Sequence, residues 1–235
     1  MRRLGATLAV VLVALTGVVE ARVIHGTKKG DRIVGTRSAD RLFGARGNDR
    51  IYGLRAADRI DGGLGRDRLY GQDGADSLQG RAGDDVEVGG SGPDRVRGGT
   101  GRDSLYGGSG DDVIGGSNAG TDRLAGGSGN DLLFDYTGAN TFLGGVGADR
   151  VTAGPLNDVL LGGDGEDTLR GQDGFDRVNG GEGEDELYGG EGGDTIEARD
   201  GSEDTIDCGG GEDTAVVDAQ EDGVFDCENV VYPEG

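Results

Sequence analysis

From Gly26 to Val216 the chain repeats itself every nine residues. In phase, the blocks read GTKKGDRIV, GTRSADRLF, GARGNDRIY, GLRAADRID, GGLGRDRLY and onward, with two ten-residue blocks at Gly116–Ala125 and Ala198–Asp207. Nineteen nines and two tens fill the span, which makes 21 repeats and leaves no room for a separate catalytic domain. A short fixed period of this kind predicts a solenoid. One unit cannot bury its apolar face alone and must stack on its neighbours.

With the repeat positions numbered 1 to 9, position 6 is Asp in 20 of 21 repeats, Asn140 being the exception. Position 8 is apolar in 20 of 21, with Glu87 the exception, and position 4 is Gly in 16. Positions 1 to 6 are Gly-rich and predict a tight turn that ends in the Asp. Positions 7 to 9 predict a short strand, whose alternation sends position 8 inward and positions 7 and 9 outward. A carboxylate beside unobstructed carbonyls is a set of hard oxygen donors, the chemistry that suits Ca²⁺ with its six to eight oxygen ligands.

Blocks such as GGLGRDRLY (62–70), GGTGRDSLY (98–106), GGSGNDLLF (126–134) and GGEGEDELY (180–188) resemble the nonapeptides of the RTX, or repeats-in-toxin, family. The pattern is the calcium-binding G-G-x-G-x-D-x-U-x unit. The resemblance covers about 190 residues. It implies an all-β fold, a parallel β-roll or β-helix solenoid with two nonapeptides per coil. It also implies Ca²⁺, several ions, held between turns 18 residues apart. Asp94 would then share an ion with the turn ending at Asp112, and Asp149, Asp167 and Asp185 would form another ladder. The candidate metal ligands are Asp67, Asp76, Asp85, Asp94, Asp103, Asp112, Asp131, Asp149, Asp167, Asp176, Asp185, Asp194 and Asp213. Turn carbonyls would come from Gly90, Gly92, Gly108, Gly110, Gly145, Gly147, Gly163, Gly165, Gly181 and Gly183. Two features depart from the family. Its members usually leave the cell through a dedicated exporter that reads a C-terminal signal, and its toxins, proteases and lipases carry an effector domain. Neither toxicity nor hydrolysis is therefore carried over.

Composition agrees with a chain that needs ions. Gly accounts for 53 of 235 residues, the net charge is −22, and hydrophobic content is 33%. Collagen is excluded, because the Gly has no three-residue period and Pro is scarce. Low hydrophobicity with high charge predicts a disordered chain in the absence of metal. Ca²⁺ would cancel charge and tie the turns together. So acidic a chain argues against binding nucleic acid through a basic surface.

The charge is uneven. Residues 22–70 hold twelve basic and six acidic residues, whereas residues 153–235 hold three and 25. Within the repeat array of 22–216, this separates a basic, divergent part (22–70) from an acidic part (71–216). The first five repeats place Arg32, Arg41, Arg50, Arg59 and Arg68 at position 7. Two readings are open. Either these arginines pair with nearby Asp and take over the neutralising work of the ion, or the basic end grips an anionic glycan. In the first reading those coils would bind little or no Ca²⁺, and from the distribution of charge calcium dependence is expected to be weakest in these five repeats and strongest after residue 153.

If alternate repeats share a sheet, position 9 of one sheet displays Val34, Tyr52, Tyr70, Val88, Tyr106, Ala125, Leu143 and Leu161. The other sheet displays the mixed row Phe43, Asp61, Gln79, Arg97, Gly115, Phe134, Thr152 and Arg170. The apolar row is either ladder stacking between neighbouring strands or a face for a partner or for self-association, with Tyr52, Tyr70, Tyr106, Leu143 and Leu161 as its main residues.

The ends differ from the array. Met1-Arg2-Arg3, an apolar run from Leu4 to Val19 and Val19-Glu20-Ala21 have the layout of a secretory signal peptide, 1–21. The run is short for a membrane span, so the expected product is secreted, with no span once the leader is removed. Residues 217–235 are expected to cap the open end of the solenoid. Cys208 and Cys227 flank that end, and in an exported chain they are expected to form a disulfide, with two free thiols as the alternative. The tail also resembles, more weakly, the "DCE" ending of secreted RTX-like calcium-binding proteins. His25 is the only His, so a two-histidine centre is excluded by counting. No HExxH, Walker or GxSxG motif occurs. The expectation is a non-enzymatic, secreted calcium-binding module, structural or surface-associated. The alternative is a calcium-scaffolded adhesin for an anionic glycan or a protein.

Overall fold

The computed structural model describes residues 10–11, 20–117, 120–218 and 223–232. Among them are 25 strands and no helix. The strands alternate between two sheets of thirteen and twelve, and successive neighbours within a sheet are always alternate strands of the chain. Every pairing is parallel. Within the repeat array the register is 18 residues, as in Ile33 opposite Ile51. It lengthens to 19 where a ten-residue repeat intervenes, as in Leu105 opposite Leu124 and Leu187 opposite Ile206. Two repeats therefore close one coil, and the chain is a parallel β-solenoid of about eleven turns.

Many strands are twice the expected length. Arg41–Arg46 and Ser104–Ser109 each run through positions 7 to 9 and on through positions 1 to 3 of the next repeat. The cause is that position 1 continues the inward alternation and position 2 still pairs with its counterpart 18 residues on, as Leu54 does with Gln72. The turn is thereby compressed into positions 4 to 6.

The interior has one apolar side chain per repeat, except at Glu87. Ile33, Leu42, Ile51, Leu69, Leu105, Ile114, Leu160 and Leu187 are fully buried. This row gives two clusters, Ile24 to Leu78 and Val96 to Val217, separated at Glu87. Position 9 points outward in the two predicted rows. Val34, Tyr52 and Tyr70 follow one another in register on one sheet, and Phe43, Asp61 and Gln79 do so on the other.

Most of the expected leader lies outside the described residues; Val10–Val11 pair with Arg32–Ile33. Among the described residues no helix is long and apolar enough to cross a membrane. At the other end the pairing outlasts the period. Gly223–Phe225 and Asn229–Val231 add one further strand to each sheet. A disulfide joins Cys208 to Cys227 and ties this last coil to the one beneath it.

Candidate metal centre

The position-6 Asp side chains do not stand at the surface. Asp67, Asp94, Asp103, Asp112, Asp149 and Asp213 are each no more than 1% exposed. Each uses Oδ1 to accept the backbone N–H of the Asp one coil earlier. Asp94 N–H donates to Asp112 Oδ1 at 2.7 Å, Asp149 to Asp167 at 2.7 Å and Asp167 to Asp185 at 2.8 Å. The residues of the two expected ladders are thus joined by amide–carboxylate rungs at that offset.

The second oxygen is left over. All thirteen candidate Asp ligands bury an Oδ2 that has no hydrogen-bond partner. Such an oxygen, taken from water and given nothing, costs free energy unless a proton or a cation meets it. Burial is the main reason these carboxyls rise, despite the backbone N–H that pulls the other way. Asp94, Asp149 and Asp167 are pushed up to about 7, and Asp103, Asp112 and Asp185 to about 6.

The glycines explain why the carboxylate has room. A Cβ on Gly89, at position 1, would strike Asp94 Oδ2 and sit 2.7 Å from the Gly107 carbonyl oxygen of the next coil. Positions 2 and 4 need the left-handed region, with φ of +123° at Gly90 and +112° at Gly92. There a Cβ would strike the carbonyl of the matching residue one coil earlier, Gln72 or Gly74. The carbonyls of these positions thus lie along the stacking axis, against the next coil.

Three turns solve the Oδ2 problem with protein donors. Thr27 N–H donates to Asp31 Oδ2 at 2.5 Å. Thr36 gives both its N–H, at 2.5 Å, and its hydroxyl, at 2.9 Å, to Asp40 Oδ2. Gly154 N–H reaches Asp158 Oδ2 at 3.3 Å. In these turns position 2 is not left-handed, so its N–H turns toward the carboxylate. Asn140 offers a fourth solution. Its Oδ1 keeps the rung from Asp122 at 2.8 Å, while its Nδ2 donates to the carbonyls of Thr137 at 3.0 Å and Gly138 at 3.3 Å. An amide thus places hydrogens between position 6 and the carbonyls of positions 3 and 4, where a carboxylate would set oxygen against oxygen. A small cation between them is the complement that the Asp turns lack, and the donor set fits calcium. Among the described residues no three His, Cys, Asp or Glu side chains gather at one point. Sites built on these turns therefore draw on carbonyls as well.

Two expectations need correction. The position-7 arginines Arg32, Arg41, Arg50, Arg59 and Arg68 are exposed, because alternation turns them away from the interior Asp. Ion pairs among the described residues are instead Arg55–Asp73, Arg66–Asp84, Arg81–Asp61 and Arg199–Glu197. The boundary also moves. Asp49, Asp58 and Asp67 already have the unpartnered Oδ2, so the change of turn type falls after Asp40 and not after the fifth repeat.

Some working residues escaped sequence reasoning. At position 5, Asn48 Oδ1 accepts Arg66 N–H at 3.0 Å, and Asn130 Oδ1 accepts Ala148 N–H at 2.9 Å. The recurrence of Asn and Asp at position 5 was the available signal. Glu228 Oε2 takes the last rung, from Asp213 N–H at 3.0 Å. The "DCE" ending thus supplies a disulfide partner and a ladder terminus from adjacent residues.

A parallel solenoid with a buried, donor-less carboxylate oxygen at most of its repeats has the donor set of a metal-binding repeat protein. Seven stretches between residues 25 and 215 match the RTX calcium-binding nonapeptide repeat: 25–60, 52–87, 88–119, 117–151, 126–160, 161–196 and 180–215. The chain belongs to that family and is a calcium-binding repeat protein. No curated protein matches the sequence.

Proposed function

We propose that this chain is a secreted, non-catalytic β-roll whose folding is coupled to external calcium. The observation that carries the reading is the row of buried, donor-less Oδ2 atoms at all thirteen candidate Asp ligands. Asp67, Asp94, Asp112, Asp149, Asp167, Asp185 and their neighbours in the two ladders hold the ions, helped by turn carbonyls. Calcium, when bound, supplies the positive charge and oxygen coordination that this interior otherwise lacks. The chain's own part is to bury each carboxylate, hold it by its Oδ1 rung and keep its Oδ2 free. The leader, 1–21, directs export to a compartment where calcium is plentiful, and the disulfide suits that compartment.

The test is circular dichroism of the full chain during a calcium titration. The reading expects little β signal in chelator and a cooperative gain at about millimolar calcium, the range of extracellular modules. A chelated sample with the full β signal would sink it.

A second reading, a calcium-scaffolded adhesin, has its own support. Tyr52 and Tyr70 stack with ring centroids 5.0 Å apart. Arg32 lies over Tyr52 at 5.0 Å, so the basic end and the apolar row are contiguous. Calcium-dependent, salt-sensitive retention on an acidic polysaccharide supports this reading, and retention indifferent to salt or absent removes it. Tyr70→Lys with Tyr106→Lys separates a partner face from ladder stacking, since only the former changes self-association.

A further inference from the structure

Position 8 is the apolar interior row, and at one place it holds a carboxylate. Glu87 is fully buried. It stands in register between Leu69 and Leu105 on the same sheet, at the break between the two aliphatic clusters. Neither of its carboxylate oxygens has a hydrogen-bond partner. An acid buried without a partner is among the costliest groups a core can hold, and this one interrupts a row that is otherwise apolar.

Its direction shows what could offset that cost. The side chain turns back over Gly80. The point that a Cβ on Gly80 would occupy is crowded by Glu87 Oε1, with Asp85 Oδ2 2.6 Å away and the Gly98 carbonyl oxygen 2.8 Å away. Two carboxylates and a carbonyl thus converge on a cradle that only a glycine leaves open. Asp85 already spends Oδ1 on the rung from Asp67, and the oxygen it brings to the cradle is the one left without a partner. Asp67, Asp103 and Asp122 add further negative charge around Glu87. The one arginine that the chain places at position 2 near this point, Arg81, is engaged outside with Asp61 at 2.7 Å.

We propose that Glu87, Asp85 and the Gly98 carbonyl form an internal site for a hard divalent cation of the calcium class, additional to the periodic turn sites. The site rests on the reading that the array binds calcium, and adds an ion at the one position-8 carboxylate, with Asp85 Oδ2 shared between it and the turn site. It would join the two aliphatic clusters across the gap that separates them. A leucine at position 87 would join them by packing instead.

The test compares the full-length chain with Glu87→Leu and Glu87→Gln. Leu restores the aliphatic row, and Gln keeps the shape without the charge, so a folding defect in one leaves the other readable. Each is saturated with calcium, and native mass spectrometry counts the bound ions as integers. Both variants are expected to hold one ion fewer than the parent, with matching circular dichroism in calcium. Equal, nonzero counts in all three would overturn this site alone. A parent chain with no bound calcium would overturn the calcium reading of the array and this site with it.

Discussion

The turns at Thr27–Asp31 and Thr36–Asp40 and those from Gly89 to Asp112 carry the same Asp in the same place, yet treat it differently. In the first pair the position-2 N–H closes onto Oδ2. In the second group position 2 is a left-handed Gly, its N–H faces elsewhere, and Oδ2 is buried without a donor. The Asp is therefore common to both turn types, and the backbone conformation at position 2 decides whether the carboxylate is completed by protein or by something from solution. Gly154 shows that Gly itself is not the determinant: outside the left-handed region it closes the turn as Thr does.

Removing calcium should have the largest effect. Hydrogen exchange followed through a chelator titration is expected to deprotect peptides from 89–115 and 162–194 before those from 26–43. Simultaneous loss would break the distinction between open and closed turns.

Acid comes next, because a proton can do part of the cation's work. In the folded, calcium-free chain the Asp94, Asp149 and Asp167 carboxyls sit at about 7 against an ordinary 3.8. Between those values the folded chain holds protons that the unfolded chain releases. Their contribution is complete below about pH 4 and is lost as pH rises through about 7. The calcium-free β signal should grow on acidification from pH 7.5 to 5, while the calcium-loaded signal stays flat. A calcium-free chain that loses structure on that acidification would contradict the reading of the open turns.

Asp167→Asn copies the solution found at Asn140. It should lower the calcium count by at least one and stabilise the calcium-free chain by ~1–3 kcal/mol, since a buried unsatisfied charge is removed. Unchanged counts by native mass spectrometry would remove Asp167 from the ligand set.

Thr36→Val is the smallest change. It removes the hydroxyl bond to Asp40 and the acceptor for Ser38 N–H, at 3.2 Å. A loss of ~1 kcal/mol in urea unfolding, with no change in the ion count, is expected. A changed ion count would show that this turn is not closed by protein donors.

The period and alternation were sufficient to read the inward row at position 8 and the outward position 9. The two-repeat coil and its offset of 18, and with them the two outer rows, came from the likeness to RTX repeats, and the cysteine pairing from the place of the two residues at the end of the array. The division of labour between Oδ1 and Oδ2 was not legible, because Oδ1 is committed to an amide one coil away and the sequence does not state which donor faces which oxygen. The closed turns had no signature in the residue types alone. The arginines at position 7 suggested neutralisation by side chains, whereas the group that meets Asp31 and Asp40 is the backbone N–H of Thr27 and Thr36. Glu87 and Asn140 stood out as exceptions to the pattern, but what each does depends on neighbours brought in from other coils.

The rungs have a consequence for how such a molecule changes size. The recurring contacts of the stack, from the Asp ladder to strand register, join a residue to its counterpart 18 or 19 positions on. Excising residues 98–115, one whole coil, would join Arg97 to Gly116 and bring like against like throughout. Excising nine would instead exchange the two outer rows beyond the cut. Length is thus a variable that duplication or deletion can alter in single-coil steps of about 4.8 Å, a shortening that small-angle scattering can read. The Thr-closed turns at one end and the disulfide-tied coil at the other would be carried along unchanged.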